Sequence, residues 1–292
     1  MKVSFFLMTQ KGYEVLNKFI NHFGAECIST VVTSRDNNVE CDYYEQIVEL
    51  CMKNNIMCFN KSENYQLKGE HCFVISWRWL IKSVNAKLIV FHDSLLPKYR
   101  GFSPLVSCLI NGEEKVGVSA LLPTENYDEG AILGQESTNI QYPIKIQKAI
   151  ELVSECYVKL VIILTEKILN NEELIGYQQN ENEATYSLWR DEEDYRINWN
   201  CDATYIRRFI DSVGYPYNGA SSYLDNSKVR ILDATELDDV VIENRDFGKV
   251  IFIRDSKPVI VCGRGLLQIN QMVDDTTKES LLPLSRFRRR FK

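Results

Sequence analysis

Strand-length apolar runs alternate with helix-period stretches through the first half of the chain, and this alternation narrows the fold more than any other feature. Lys2 to Met8 is a short apolar run of strand length. Val15, Leu16, Phe19, Ile20 and Phe23 then recur on one helical face, and Gly24 stops the helix. Cys27 to Thr33 is a second strand, rich in β-branched residues. Asp42 with Glu45 three residues on predicts a capping box that opens a helix bearing Tyr44, Ile47, Val48 and Cys51. Cys72 to Ser76 and Lys87 to Phe91 predict further buried strands. Strands joined by helices make right-handed crossovers, so the expectation is an α/β, Rossmann-like domain with a parallel sheet covered on both faces. Thr9-Gln-Lys-Gly-Tyr13 follows the first strand in place of a G-x-G-x-x-G turn, which argues against a dinucleotide site. In such sheets ligands lie beyond the carboxyl ends of the strands.

The second half changes pattern. One helix, with Ile206, Phe209, Ile210 and Val213 on a face, precedes a series of short strands. Val229 and Ile231 alternate with charges. Val250 to Ile253 and Val259 to Cys262 flank Arg254-Asp-Ser-Lys257, a hairpin turn, and Gly263-Arg-Gly265 turns into Leu266 to Val273. Five short strands suit a small OB-like β-barrel, whereas an immunoglobulin-like sandwich wants about seven. A length of 292 residues suits two domains, read here as 1–185 and 186–292.

Composition excludes several classes. Apolar residues make up 45% and charged residues 25%, the ordinary globular range, with no run near the roughly 18 residues of a membrane span. The basic-then-apolar start, Met1 to Met8, resembles a signal peptide, but Thr9-Gln10-Lys11 cuts it short and no cleavage site follows. It reads as a first strand of a cytoplasmic protein. The net charge is −6, yet the segment 285–292 holds five basic side chains, so the rest of the chain stands at −11. An acidic body repels phosphate backbones and argues against a broad nucleic-acid surface. The segment Arg286-Phe-Arg-Arg-Arg-Phe-Lys292 reads as a mobile charged terminus or as a phosphate grip. Nine scattered cysteines without a C-x-x-C pair suit reduced core thiols and argue against a zinc site or a disulfide frame.

The most informative segment is Phe91-His-Asp-Ser-Leu-Leu-Pro-Lys-Tyr-Arg-Gly-Phe-Ser-Pro104. His92 sits where a strand empties into a loop that Pro97 stiffens and Gly101 turns. Ser103 is placed to cap a helix that begins at Pro104 and ends before Gly112. A histidine held in such a loop can carry a proton in fixed geometry, or can be satisfied by local hydrogen bonds. His22, in the last turn of a helix, and His71, in a polar stretch, read as structural. Downstream, Val116 to Leu122 reads as a strand. It leads into Pro123-Thr-Glu-Asn-Tyr-Asp-Glu-Gly130, which is either a functional carboxylate loop or a solvated acidic turn.

His92-x-Ser-Leu-Leu-Pro-x-Tyr-Arg-Gly101 resembles the signature loop of folate-dependent formyltransferases, and Asp128-x-Gly130-x-Ile132 resembles that family's aspartate loop. The family includes methionyl-tRNA formyltransferase, glycinamide ribonucleotide formyltransferase and the nucleotide-sugar N-formyltransferases. The likeness covers roughly residues 1–185 in organisation and is sharp over 92–101 and 128–132. Glu183-Ala-Thr-Tyr-Ser-Leu-Trp-Arg190 and Asp194-Tyr-Arg-Ile-Asn-Trp199 are similar to the linker and domain entry of the tRNA and sugar enzymes. Tyr215-Pro-Tyr-Asn-Gly-Ala220 resembles a turn that follows in them.

The resemblance implies transfer of a formyl group from 10-formyltetrahydrofolate to an amine, without a metal. His92 would move the proton and Asp128 would orient it and polarise a water. The folate would lie against Trp77, Arg78, Trp79, Glu125, Asn126 and Tyr127, the tryptophans forming an aromatic wall or merely filling the core. The acceptor would approach Ser94, Lys98, Arg100 and Gly101. Its likeness to the sugar branch implies a nucleotide-linked amino sugar (dTDP-, UDP- or GDP-linked) as acceptor. That branch serves surface-polysaccharide biosynthesis, including lipopolysaccharide O-antigen, and a homodimer is compatible with it. A methionyl-tRNA formyltransferase and a non-catalytic folate- or sugar-nucleotide-binding protein are the alternatives. One departure bears on catalysis: the family carries Asn two residues before the histidine, and here that position is Val90, which cannot donate to an oxyanion. Asp93 in its protonated form, Arg78 or a water would have to replace it. Otherwise the enzyme is slower, by roughly a hundred- to a thousandfold for one lost donor, or the protein binds without catalysis.

Overall fold

The computed structural model describes residues 2–81 and 85–292. The chain forms two compact units. One comprises Met1–Leu105, Glu114–Ile140 and Lys148–Leu188, and the other Val106–Glu113, Gln141–Gln147 and Trp189–Lys292.

In the first unit, β1 (Val3–Leu7) is buried along its whole length and runs into α1 (Thr9–Phe23). Apolar spacing on α1 buries Val15, Leu16 and Phe19, and the Phe19 ring meets Phe5 edge-on at 5.1 Å. Each such side chain withdrawn from water contributes about 1.5–3 kcal/mol. Thr9 to Tyr13, the stretch that stands where a G-x-G-x-x-G turn would, is the opening of this helix. Next come β2 (Ile28–Thr33), α2 (Tyr44–Lys53) and β3 (Cys58–Asn60). The capping box expected at Asp42 and Glu45 does not form. Tyr43, in the left-handed region, precedes the helix, Asp42 accepts from the Tyr44 amide, and Glu45 pairs with Arg35 instead. In chain order there follow β4 (His71–Ile75), β5 (Lys87–His92), the two-residue β6 (Arg100–Gly101), α3 (Pro104–Asn111), β7 (Lys115–Leu121), β8 (Ile132–Asn139), α4 (Ile146–Leu169) and β9 (Tyr186–Ser187), of which most of α3 and the first two residues of α4 are counted in the second unit.

The main sheet runs β3-β2-β1-β4-β5-β7-β8. Its first five strands are parallel, so their carboxyl ends share one edge. This is the expected parallel, Rossmann-like sheet, to which β7 and β8 are antiparallel additions. A helix between two strands does not fix direction by itself, and the chain from β5 through α3 returns into β7 with its sense reversed. β9 lies in the first unit, past the boundary expected at residue 185, because it pairs with β6.

In the second unit, Asp202 caps α5 (Ala203–Ser212) by accepting from the Tyr205 amide at 2.6 Å. Five antiparallel strands follow: β10 (Ala220–Leu224), β11 (Ser227–Leu237), β12 (Val250–Arg254), β13 (Lys257–Val261) and β14 (Leu266–Asp274). They are ordered β10-β11-β14-β13-β12. The Asp225-Asn226 and Asp255-Ser256 turns have positive φ at both positions, the geometry that joins two antiparallel strands with matching twist. The Arg-rich segment is not a loose terminus. Phe291 bridges Leu224 on one edge of the sheet, Arg290 bridges Lys249 beside the other, and the buried Phe291 ring packs on Trp199. These pairings close the sheet into a small barrel. Among the described residues no helix is long and apolar enough to cross a membrane.

Candidate functional site

His92 is the last residue of β5 and is 8% exposed. Its Nε2 lies 2.8 Å from the Tyr99 carbonyl oxygen. A carbonyl only accepts, so this nitrogen carries a proton and donates it. Nδ1 then faces Asp128 Oδ2 at 3.4 Å. That gap lies just outside ordinary hydrogen-bond range.

Asp128 is held from several directions. It sits in the left-handed region at φ 58, and its Oδ2 accepts from the Gly101 amide at 2.9 Å. Gly101 adopts φ 96, and a Cβ there would stand 2.7 Å from the Ser187 carbonyl oxygen. Gly130 is also obligatory, because a Cβ would stand 1.7 Å from the Leu122 carbonyl oxygen. The Gln179 amide spans the loop, with Nε2 donating to the carbonyls of Asp128 at 2.7 Å and Gly130 at 2.8 Å. Gln179 had no distinguishing signal in the polar run Tyr177-Gln-Gln-Asn180.

Arg100, expected to meet a phosphorylated acceptor, is fully buried and committed internally. Its Nε and Nη2 donate to Gln179 Oε1 at 3.1 and 2.9 Å, and its two terminal nitrogens fork onto Glu181 at 2.8 and 2.7 Å. The hydrogen bonds from Arg100 hold the Glu181 carboxyl below its usual range. Ser94, expected beside the acceptor, is likewise buried, and its hydroxyl donates to the Lys98 carbonyl at 2.7 Å, which stabilises the loop itself. Gly101 serves through its amide on Asp128. Lys98 is exposed.

The donors expected to replace the missing amide are engaged elsewhere. Val90 packs in apolar clusters that include Val74 and Leu96. Asp93 is not protonated. Burial raises its pKa, but the Lys11 ammonium, hydrogen bonds from Lys11 and Tyr157, and the nearby His92 outweigh burial and leave it lowered. Burial, followed by Asp93, pushes the Tyr157 hydroxyl well above its ordinary range. Arg78 pairs with Asp36 at 3.1 Å. Lys11, Tyr157 and Gln179 were not singled out from the sequence.

The expected folate residues divide. Trp77 fills the core, its ring 4.9 Å from Phe6. Trp79 is partly exposed, with Lys61 Nζ 3.1 Å above its ring centroid. Glu125, Asn126 and Tyr127 are exposed. Asn126 donates to Glu129 at 2.8 Å, and the Tyr127 ring meets the exposed Phe102 ring at 5.6 Å. His22 faces Glu166 at 3.6 Å and His71 opens β4, both away from these residues in sequence. Among the described residues no group of His, Cys, Asp and Glu is placed to hold a metal.

Comparison with known proteins fits this architecture. Residues 74–151 match the formyl transferase family, and residues 190–281 match the formyl transferase C-terminal domain; together they cover more than half of the chain. The methionyl-tRNA formyltransferase of Nitrosomonas europaea is 30% identical over 187 residues, 62% of this chain and 56% of that protein. The chain thus spans about half the length of the curated relatives it matches. An N-formyltransferase from Helicobacter canadensis, solved with folinic acid and dTDP-3-aminofucose, superposes with a TM-score of 0.68 at 18% identity, covering 92% of this chain and 98% of that one. WlaRD, a sugar 3N-formyl transferase solved in the presence of dTDP and 5-N-formyl-THF, gives the same TM-score at 17% identity, covering 92% and 97%. The alternation of strands, the two motif loops and both domain matches agree: this chain belongs to the formyl transferase family and carries its two domains in order.

Proposed function

We propose that the protein is an N-formyltransferase that moves a formyl group from 10-formyltetrahydrofolate to the amine of a nucleotide-linked amino sugar. The observation that carries this reading is the pairing of His92 Nδ1 with Asp128 Oδ2 at the carboxyl edge of the sheet, with Nε2 fixed on the Tyr99 carbonyl. The cosubstrate supplies an activated formyl carbon. The chain's residues manage the proton. As the acceptor nitrogen bonds to that carbon, it releases a proton to His92 Nδ1, while Nε2–H keeps its bond to Tyr99. Asp128 then faces a positive ring. His92 returns the proton to the folate nitrogen as its bond to the formyl carbon breaks.

The exposed Tyr127 and Phe102 rings, 5.6 Å apart, suit a flat heterocycle, with Glu125 and Asn126 next to Tyr127 in the chain, whereas one face of Trp79 is taken by Lys61. The solved neighbours, WlaRD with dTDP and 5-N-formyl-THF and the Helicobacter canadensis enzyme with folinic acid and dTDP-3-aminofucose, support the acceptor class. The sequence relatives named methionyl-tRNA formyltransferase favour the second reading, a tRNA acceptor.

The test is turnover of 10-formyltetrahydrofolate against a panel of dTDP-, UDP- and GDP-linked amino sugars and against charged initiator tRNA. A formylated sugar supports the first reading, and turnover on tRNA alone replaces it with the second. Folate binding without turnover on any amine makes the protein a binding module. His92→Ala is expected to abolish transfer while leaving folate affinity within about threefold; unchanged turnover removes His92 from the mechanism.

A further inference from the structure

Formyl transfer through a tetrahedral adduct calls for a donor at the developing oxyanion. Val90 offers none, Asp93 is ionised between Lys11 and Tyr157, and Arg78 is paired with Asp36. The Gln135 amide is also committed, to the Leu96 carbonyl and the Ser119 hydroxyl. One side chain at the edge of the sheet has the opposite character. Ser76 follows β4, sits at φ 52, and its Oγ is buried with no hydrogen-bond partner. A serine held at positive φ with an unpaired buried hydroxyl is strained on two counts.

Register places this hydroxyl. β4 and β5 pair in step as far as Val74 opposite Val90 and Ile75 opposite Phe91. The next residue on each strand is Ser76 and His92. Ser76 is thus the first residue past the paired end of β4 and His92 the first past Phe91, on strands whose paired ends lie about 4.8 Å apart. Thr9 and Thr33 also carry unpartnered buried hydroxyls. They lie at the ends of β1 and β2, one and two strands farther from β5 in the order β2-β1-β4-β5.

We propose that Ser76 Oγ–H is the oxyanion donor of this enzyme, in the role Val90 cannot fill. The inference rests on the proposed formyl transfer. When the acceptor's nitrogen pair forms the new C–N bond, the carbonyl π pair moves onto oxygen, and that oxygen accepts from Ser76. The hydroxyl keeps its proton throughout. Collapse of the adduct restores the carbonyl, breaks the bond to the folate nitrogen, and delivers the proton there through His92.

The experiment compares wild type with Ser76→Ala and Ser76→Gly, the glycine tolerating φ 52 without strain. Both are expected to lower kcat by about 10²–10³-fold, the usual cost of one oxyanion donor, with both KM values within about threefold. Neither should lower the melting temperature, because the group removed is unpaired. Adding Val90→Asn to Ser76→Gly is expected to recover at least tenfold of the lost rate. A kcat within threefold of wild type in the glycine variant overturns the proposal, as does a loss that Val90→Asn leaves unrescued. A readout without turnover keeps this separate from the acceptor question. The infrared carbonyl stretch of bound ¹³C-formyl 10-formyltetrahydrofolate, without acceptor, should rise in Ser76→Gly as its donor is lost. An unshifted stretch counts against Ser76 whatever the acceptor proves to be.

Discussion

Asp93 and Gln179 act at the scale of single residues, and each yields a test. Asp93 is only slightly exposed and is held ionised by Lys11 and Tyr157. Lys11→Met strands that carboxylate, a change that typically costs about 3–5 kcal/mol, read as a fall in urea-unfolding free energy at pH 7. The pKa of Asp93 is lowered on folding, so its stabilising contribution is complete above the unfolded value of about 3.9 and is lost as pH falls through the folded value. Wild type is therefore expected to lose stability steeply below about pH 4, and Lys11→Met to show a shallower acid limb. Gln179 binds the Asp128 loop and is bound by Arg100, so it is a positioning residue. Gln179→Leu should lower kcat by about tenfold to a hundredfold, the scale of a small misplacement, with little change in KM. In an Asp128→Asn background the same change should cost almost nothing more, whereas a purely structural glutamine would add its full loss. His92 and Asp128 stand out in the sequence only through the resemblance of their two segments to the family's motif loops, because position at a strand end suits a local structural role equally well. The sequence misplaced Arg100 and Ser94 because a polar side chain in an exposed-looking loop gives no sign of burial. Their partners decide it, and for Arg100 these are Gln179 and Glu181, far along the chain.

Two short segments do the work of elements. Residues 177–187 strap the motif loops together. Tyr177 pairs with Ile132 in both directions, Thr185 accepts from the Tyr99 and Arg100 amides, and Ser187 accepts from Phe102. The segment around Phe291 seals the barrel. Phe291→Ala removes a buried ring beside Trp199 and is expected to cost about 3–5 kcal/mol in denaturant unfolding of the second unit. A loss under 1 kcal/mol would show that the barrel closes without it. Local patterns made other elements legible. The apolar spacing of α1 and the Asp255-Ser256 turn each fix an element within a few residues. The sealing segment reads as loose charge because its backbone partners, Tyr223 and Gly248, are distant in sequence. The reversed direction of β7 escaped for a related reason: strand sense is set by pairing, and Val116 to Leu121 is equally apolar in either sense.

At the scale of the whole molecule, charge separates the two acceptors. Apart from the basic segment 285–292 the chain stands at −11, and within that segment Arg289 pairs with Asp225 and Arg290 with Asp246. Part of its positive charge is therefore neutralised inside the barrel unit. A nucleic-acid acceptor held by 6–10 phosphate contacts would lose about 10³–10⁵ in affinity between 50 and 200 mM salt. A sugar nucleotide carries one diphosphate and needs only two or three cations, so its KM should rise by no more than about tenfold over that range. The measurement is KM for the turned-over acceptor at 50, 100 and 200 mM KCl, with folate saturating. A shallow slope fits an acidic body that reads a small anion at one point. A steep slope would require a contiguous basic surface, which the net charge of this chain opposes, and would return the tRNA acceptor to first place.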